Sequence, residues 1–233
     1  MKLGIIGGIG PESTIEYYRQ VVSIYRSRKP DGSYPSFLVN SINLTRLLDM
    51  MTTNALAEAA DDLLEEVRAL ARAGAEFGLI AANTPHIVFD DLERRSPIPL
   101  LSIVQATCDA ARTLGLKRVA LFGTRFTMQG HFYPDLFARE GIEIVVPDLD
   151  DGTYIHDRYM KELIHGIFLP ETRDDLLAIV DRLIDRNGIE GVILGGTELP
   201  LILRDATHRG IPLLDTTRIH VEAAVTQMLV DRP

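Results

Sequence analysis

One cysteine in 233 residues, Cys108, excludes an intramolecular disulfide and a cysteine-built metal site. Its surroundings, IVQATCDAARTLG, place Val104, Cys108 and Ala111 on one face of a helix, which predicts a buried residue rather than a reactive thiol. The six histidines (His86, His131, His156, His165, His208, His220) show neither HxH nor HExxH spacing, so no metal is expected. Long apolar runs are missing too. The longest, such as GVILGG and VALFG, fall far short of the about twenty residues that cross a bilayer, so no membrane association is expected. The first residues, MKLGIIGG, lack the separate charged region, apolar core and cleavage site of a secretory leader, and the expected location is the cytoplasm. Basic residues are in deficit, 24 Lys and Arg against 33 Asp and Glu, for a formal charge of −9. That balance argues against nucleic acid as a partner, because phosphate binding is driven by lysine and arginine neutralising charge. A small anion is still admissible, since a local group of backbone N–H donors and one arginine can outweigh a diffuse negative surface.

What is present is an apolar fraction of 46%, ample for a packed core, arranged in a regular alternation. Short β-rich runs recur at 3–8, 36–43, 77–83, 98–104, 118–124, 142–148, 191–197 and 211–216. Helical patterns lie between them, among them 54–75, SIVQATCDAARTLG and 173–188, mostly closed by glycine. This alternation predicts an α/β fold with parallel sheets covered by helices. Eight strands are compatible with a barrel, but an internal echo favours two halves. LIAANTPH and VILGGTELP each read as a buried strand, a small-residue turn, a threonine and a helix start, near half a chain apart. LGIIGGIGPES and VALFGTRFTM form a second pair, strand then glycine loop then helix. The expectation is two flavodoxin-like or Rossmann-like lobes related by a pseudo-twofold, with an active-site cleft between them. The first lobe is read as residues 1–98 plus 209–233, the C-terminal strand and helix returning to it, and the second as 99–208.

The loops after the strands carry the candidate chemistry. GGIGPES begins like a dinucleotide fingerprint, but Ser13 stands where the third glycine would be and the second strand ends in VNSIN, with no acid for a ribose, so no nucleotide is expected. Pro11 suits a first helical turn and Ser13 with Glu16 fits a capping box; equally, the N–H groups around Gly8 and Gly10 suit a carboxylate or phosphate. In AANTPH, Thr84 reads as a helix cap before Pro85, and in GGTELP Thr197 caps a turn that begins with Glu198. Both also lie where loops at strand carboxyl ends hold ligands. Arg46, just after the second strand, is the candidate for a side-chain carboxylate, and Thr124 and Thr127, with His131 beyond them, begin the helix after the fifth strand. His156 and Lys161 read as a solvated helix face.

Six segments, GIIGGIGPESTIEYYRQVV, AANTPH, FGTRFTMQGHFY, YMKELIHGIF, GVILGGTELPLIL and IPLLDTTRIH, resemble in order the aspartate/glutamate racemase superfamily over nearly the whole chain. The resemblance implies a usually dimeric protein that works without pyridoxal phosphate or any other cofactor. It implies a small carboxylate substrate and two cysteines that serve opposite faces of the α-carbon. The positions of those cysteines are Ala82 and Gly196 here, so both thiols are absent. Substrate binding would fall to Gly8, Gly10, Ser13, Arg46, Asn83, Thr84, Thr124 and Thr197. The nearest titratable side chains, His86 and Glu198, become the candidate acid/base pair. A relocated racemisation or epimerisation, a decarboxylation or isomerisation of small dicarboxylates, and ligand binding without turnover all remain compatible with these residues.

Overall fold

The computed structural model describes residues 1–230. The chain forms two compact units, residues 1–103 with the C-terminal segment from His220, and residues 104–219.

The first unit holds a parallel sheet of β1 (Leu3–Gly7), β2 (Phe37–Ser41), β3 (Phe77–Ile80) and β4 (Leu100–Leu101), in the order β2-β1-β3-β4. Leu3 and Ile5 alternate with Gly4 along β1 because successive strand side chains point to opposite faces. On one face Leu3, Ile5, Phe77 and Leu79 pack with Tyr17 and Val21 of the helix Pro11–Arg28 and with Val221, Ala224 and Val225 of the helix Thr216–Met228. On the other, Gly4 lies against Leu70 and Ala75, at the end of the helix Leu56–Arg72. That helix buries Ala60, Leu63, Leu64, Val67 and Leu70, an amphipathic stripe at helical spacing.

The second unit holds β5 (Arg118–Gly123), β6 (Glu143–Val145), β7 (Gly191–Gly195), β8 (Thr207–His208) and β9 (Ile211–Asp215), ordered β6-β5-β7-β9-β8. All its pairings are parallel except the short β8–β9 ribbon. Ala120, Phe122, Val192 and Leu194 form a core with Ile155 and Tyr159 of the helix Leu149–Lys161 and Leu176, Ile179, Val180 and Leu183 of the helix Pro170–Asn187.

All eight expected strands are present, and the repeated order 2-1-3-4 and 6-5-7-9 gives the internal echo a topological form. The chain passes between units at 103/104 and 219/220 rather than at 98/99 and 208/209. The reason is strand pairing: β4 bonds to β3, whereas β9 bonds to β7. The last strand therefore stays with the second sheet, and of the C-terminal segment only the helix from His220 belongs to the first unit. The expected single helix over 54–75 starts at Leu56 and ends at Arg72, after a separate helix Leu44–Thr52 that Asn43 caps through its side chain. Among the described residues no helix is long and apolar enough to cross a membrane.

Candidate functional site

In each sheet the order reverses between two neighbouring central strands, β1 and β3 in the first, β5 and β7 in the second. Loops leaving the carboxyl ends of such a pair diverge and leave a crevice, the usual ligand site of open α/β sheets. Within the first unit this brings the Gly8–Ser13 loop and the Ala82–His86 loop to the same end of one sheet. Within the second it does the same for Thr124–Thr127 and Gly196–Glu198.

The glycine loop is largely self-satisfied. Gly8 adopts φ +80°, and a Cβ there would lie 2.5 Å from the Ile42 carbonyl oxygen, so the position demands glycine. Its N–H donates to Thr14 Oγ1 at 2.9 Å, and Ser13 Oγ donates back to the Gly10 carbonyl at 2.8 Å. Ser13 is fully buried. It is therefore not the start of a capping box: Gly10 is the cap, and Ser13 turns inward within the first turn. Neither the Gly8 N–H nor the Ser13 hydroxyl proton is left to a ligand. Arg46 is likewise engaged, its guanidinium 2.5 Å from Asp62 in an open groove of about 660 Å³ that Asp49, Glu58, Asp61 and Glu65 make strongly acidic. A substrate carboxylate would meet repulsion there.

In the second loop Asn83, not Thr84, holds the cap position, and residues Thr84–Val88 make a 3-10 turn with Pro85 at its start. Ala82 and Asn83 are buried and Thr84 half-buried. His86 does not serve as the expected base. Its Nε2 accepts the Ile103 backbone N–H at 3.2 Å, so the proton sits on Nδ1, which donates to the Ala82 carbonyl at 3.0 Å. The ring stacks on Phe89 and lies edge-on to His220. Burial, with the neighbouring His220, lowers its pKa to about 3, and both nitrogens are committed to backbone. His220 is a second buried imidazole of the same kind: Nε2 donates to Leu101 O and Nδ1 accepts from Tyr17, and burial takes its pKa to about 4.

The second unit keeps an ionisable cluster. Glu198, only 1% exposed, occupies the cap of the short helix Leu199–Ile202 but makes no side-chain bond to its amides. Its Oε2 instead accepts from Tyr159 Oη and, at 3.1 Å, from Thr197 Oγ1. Burial, and then the Glu198 carboxyl, raise the Tyr159 pKa well above the ordinary phenol value, so the phenol keeps its proton. Thr124 caps the helix Arg125–Gln129, accepting the Thr127 N–H at 3.3 Å. His131 lies at the cap of the helix Phe132–Arg139. His156 Nδ1 accepts the Arg125 N–H, and Lys161 pairs with Asp157 on an exposed face.

Tyr159 is the residue that sequence reasoning missed. Its i, i+4 spacing from Ile155 marks a buried helix face, but nothing in the local sequence announces its approach to Glu198, 39 positions on. Cys108 is buried in its helix, as its spacing suggests, and burial raises the thiol to about 11. Among the described residues no cluster of three His, Cys, Asp or Glu could hold a metal.

Residues 6–224 match the sequence profile of the family described as Asp/Glu/hydantoin racemase. A candidate Asp/Glu racemase from Yersinia pestis is 31% identical, with a TM-score of 0.87 over 98% of this chain and 99% of that one. An aspartate racemase homologue from Pyrococcus horikoshii OT3 is 33% identical, with a TM-score of 0.82 over 97% and 98% of the two chains. The broad specificity amino-acid racemase of Bacillus subtilis (strain 168) is 23% identical, aligned over 97% of this chain and 98% of that protein.

Proposed function

The chain belongs to the Asp/Glu/hydantoin racemase family, and from that premise we propose that it acts on a small acidic amino acid or related carboxylate by cofactor-independent α-proton chemistry without thiols. The observation that carries this reading is Glu198, a carboxylate buried at the carboxyl end of β7 with two hydroxyl donors on one oxygen. An α-proton is weakly acidic and its removal needs a positioned base. Ala82 and Gly196 carry no titratable group, and the imidazole of His86 is spent on backbone. Glu198 is the base that remains of the proposed pair.

Substrate would be held by Thr124 and Thr197 of the second unit, and the family resemblance extends the binding set to Gly10, Asn83 and Thr84 of the first. Thr197 suits an ammonium group, because its proton is given to Glu198 and its oxygen still has lone pairs to accept with. The resemblance extends the proposal to a homodimer located in the cytoplasm and independent of pyridoxal phosphate. Light scattering and an absorbance scan of the purified protein test the first and last of these.

A second reading, a binder that no longer turns over, is favoured by one observation: the imidazole of the loop after β3, His86, is committed on both nitrogens. Proton NMR in D₂O with L- and D-aspartate, glutamate and related hydroxy and dicarboxylic acids separates the two. Deuterium entering the α-position of any of them establishes the isomerase reading. Binding without exchange, decarboxylation or other turnover establishes the binder.

A further inference from the structure

A side chain at position 196 would start inside the ring of Tyr159. A Cβ built on Gly196 lies 2.4 Å from Tyr159 Cε2, 2.9 Å from Cζ and 3.0 Å from Oη. No side chain fits at 196 unless the phenol shifts, and the hydroxyl end of the ring occupies the start of the space that such a side chain would fill. The same hydroxyl donates to Glu198 Oε2, the oxygen that also takes the Thr197 proton. With two donors already on it, that oxygen is shielded from a C–H bond arriving from outside the loop. The phenol oxygen is thus the group set beside position 196, in the loop that follows β7 at the carboxyl end where the order of β5 and β7 reverses.

From this geometry we infer that Tyr159 is the proton carrier of the second unit's loop, relaying the α-proton of a carboxylate ligand to Glu198. The inference rests on the isomerase reading above and names the group that touches the carbon. In the forward step the Cα–H bond breaks and its electron pair stays on carbon. The proton bonds to Tyr159 Oη while the original phenolic proton moves to Glu198 Oε2. One O–H bond is formed at each oxygen, one is broken at Tyr159, and the negative charge passes from glutamate to the ligand. Once the Tyr159 and Glu198 protons have exchanged with solvent, return of a deuteron along the same path neutralises the carbanion with its configuration retained, and nothing is oxidised or reduced. The high pKa of the phenol fits a carrier rather than a reservoir: no isolated tyrosinate need form when gain and loss of the proton are coupled through the hydrogen bond to Glu198.

The test uses the full chain and the same D₂O exchange assay with aspartate and glutamate, comparing native protein with Tyr159→Phe and Glu198→Gln. Phenylalanine keeps the ring over Gly196 and removes only the hydroxyl; glutamine still accepts from the phenol but takes no proton. The relay requires each variant to lose roughly a hundredfold or more in kcat with KM nearly unchanged, the range expected for loss of a general acid/base. Both must melt close to the native temperature. Exchange surviving in Tyr159→Phe but not in Glu198→Gln overturns the relay and leaves the isomerase reading intact. A loss that appears in KM rather than kcat assigns Tyr159 a packing role and also overturns it. If the native protein exchanges no α-proton of either acid while binding them, the isomerase reading fails and the relay falls with it.

Discussion

The Ile103 backbone N–H points at Nε2 of His86 across 3.2 Å, and that contact decides what the histidine can do. An imidazole accepting on Nε2 must carry its proton on Nδ1, where the Ala82 carbonyl receives it. The ring thus ties the loop after β3 to the segment after β4, and no lone pair is left for a substrate.

Replacing His86 by alanine is expected to lower stability more than any intrinsic rate. The Ala82 carbonyl and the Ile103 N–H would each lose a partner in a buried place, at about 1–3 kcal/mol per group. Urea denaturation should show that loss, while α-proton exchange per folded molecule stays near native. Abolished exchange in a variant as stable as the native protein would restore His86 as a base.

Acid should destabilise the first unit well before its carboxylates titrate. His86 and His220 have folded pKa values of about 3 and about 4, both below the ordinary histidine value of 6.5. Between 6.5 and about 4 the unfolded chain therefore binds more protons than the folded one, and stability falls as pH falls. Each histidine contributes up to about 1.4 kcal/mol per pH unit across that window. Urea midpoints measured from pH 7 to pH 4 should drop steeply, and a flat profile would mean that the imidazoles are not held neutral.

Gly196→Ala should cost about 1–3 kcal/mol, the usual penalty of overpacking, because its Cβ meets the Tyr159 ring. In a Tyr159→Ala background the added penalty should vanish, and a double-mutant cycle in guanidinium measures the coupling. The same clash means that a cysteine at 196 needs Tyr159 cut back before a thiol can fit. Equal penalties in the two backgrounds would place the ring elsewhere.

Cys108 should resist Ellman's reagent in the folded protein and react at once in denaturant. Its thiol is buried and raised to about 11 by burial and the acidic neighbours Glu140 and Asp109. Stoichiometric labelling of native protein within minutes would contradict that burial.

The alternation of β-rich and helical segments was legible because its periods are local: two along β1, where Leu3 and Ile5 share a face, and 3.6 along 56–72, where Leu63, Val67 and Leu70 do. The Gly8 loop and the two threonine loops were likewise visible as small polar turns after apolar runs. Misread were the partners of those loops. Ser13 looked like a cap and is an inward bond to Gly10; Arg46 looked free and holds Asp62. The Arg46 partner lies on another helix, whereas the Ser13 bond is local and the residue types there fit a cap equally well.

By itself the sequence determined the α/β class, the eight main strands, the family and the absence of thiols at positions 82 and 196, since residue identity and short-range periodicity carry all of these. Only the tertiary structure decided that β9 belongs with β7, that His86 is bound to Ile103, and that Tyr159 reaches Glu198 over Gly196. Those facts depend on side chains brought together across 17 to 39 positions of chain, and hydrogen bonding at that range is fixed by packing, which no local pattern encodes.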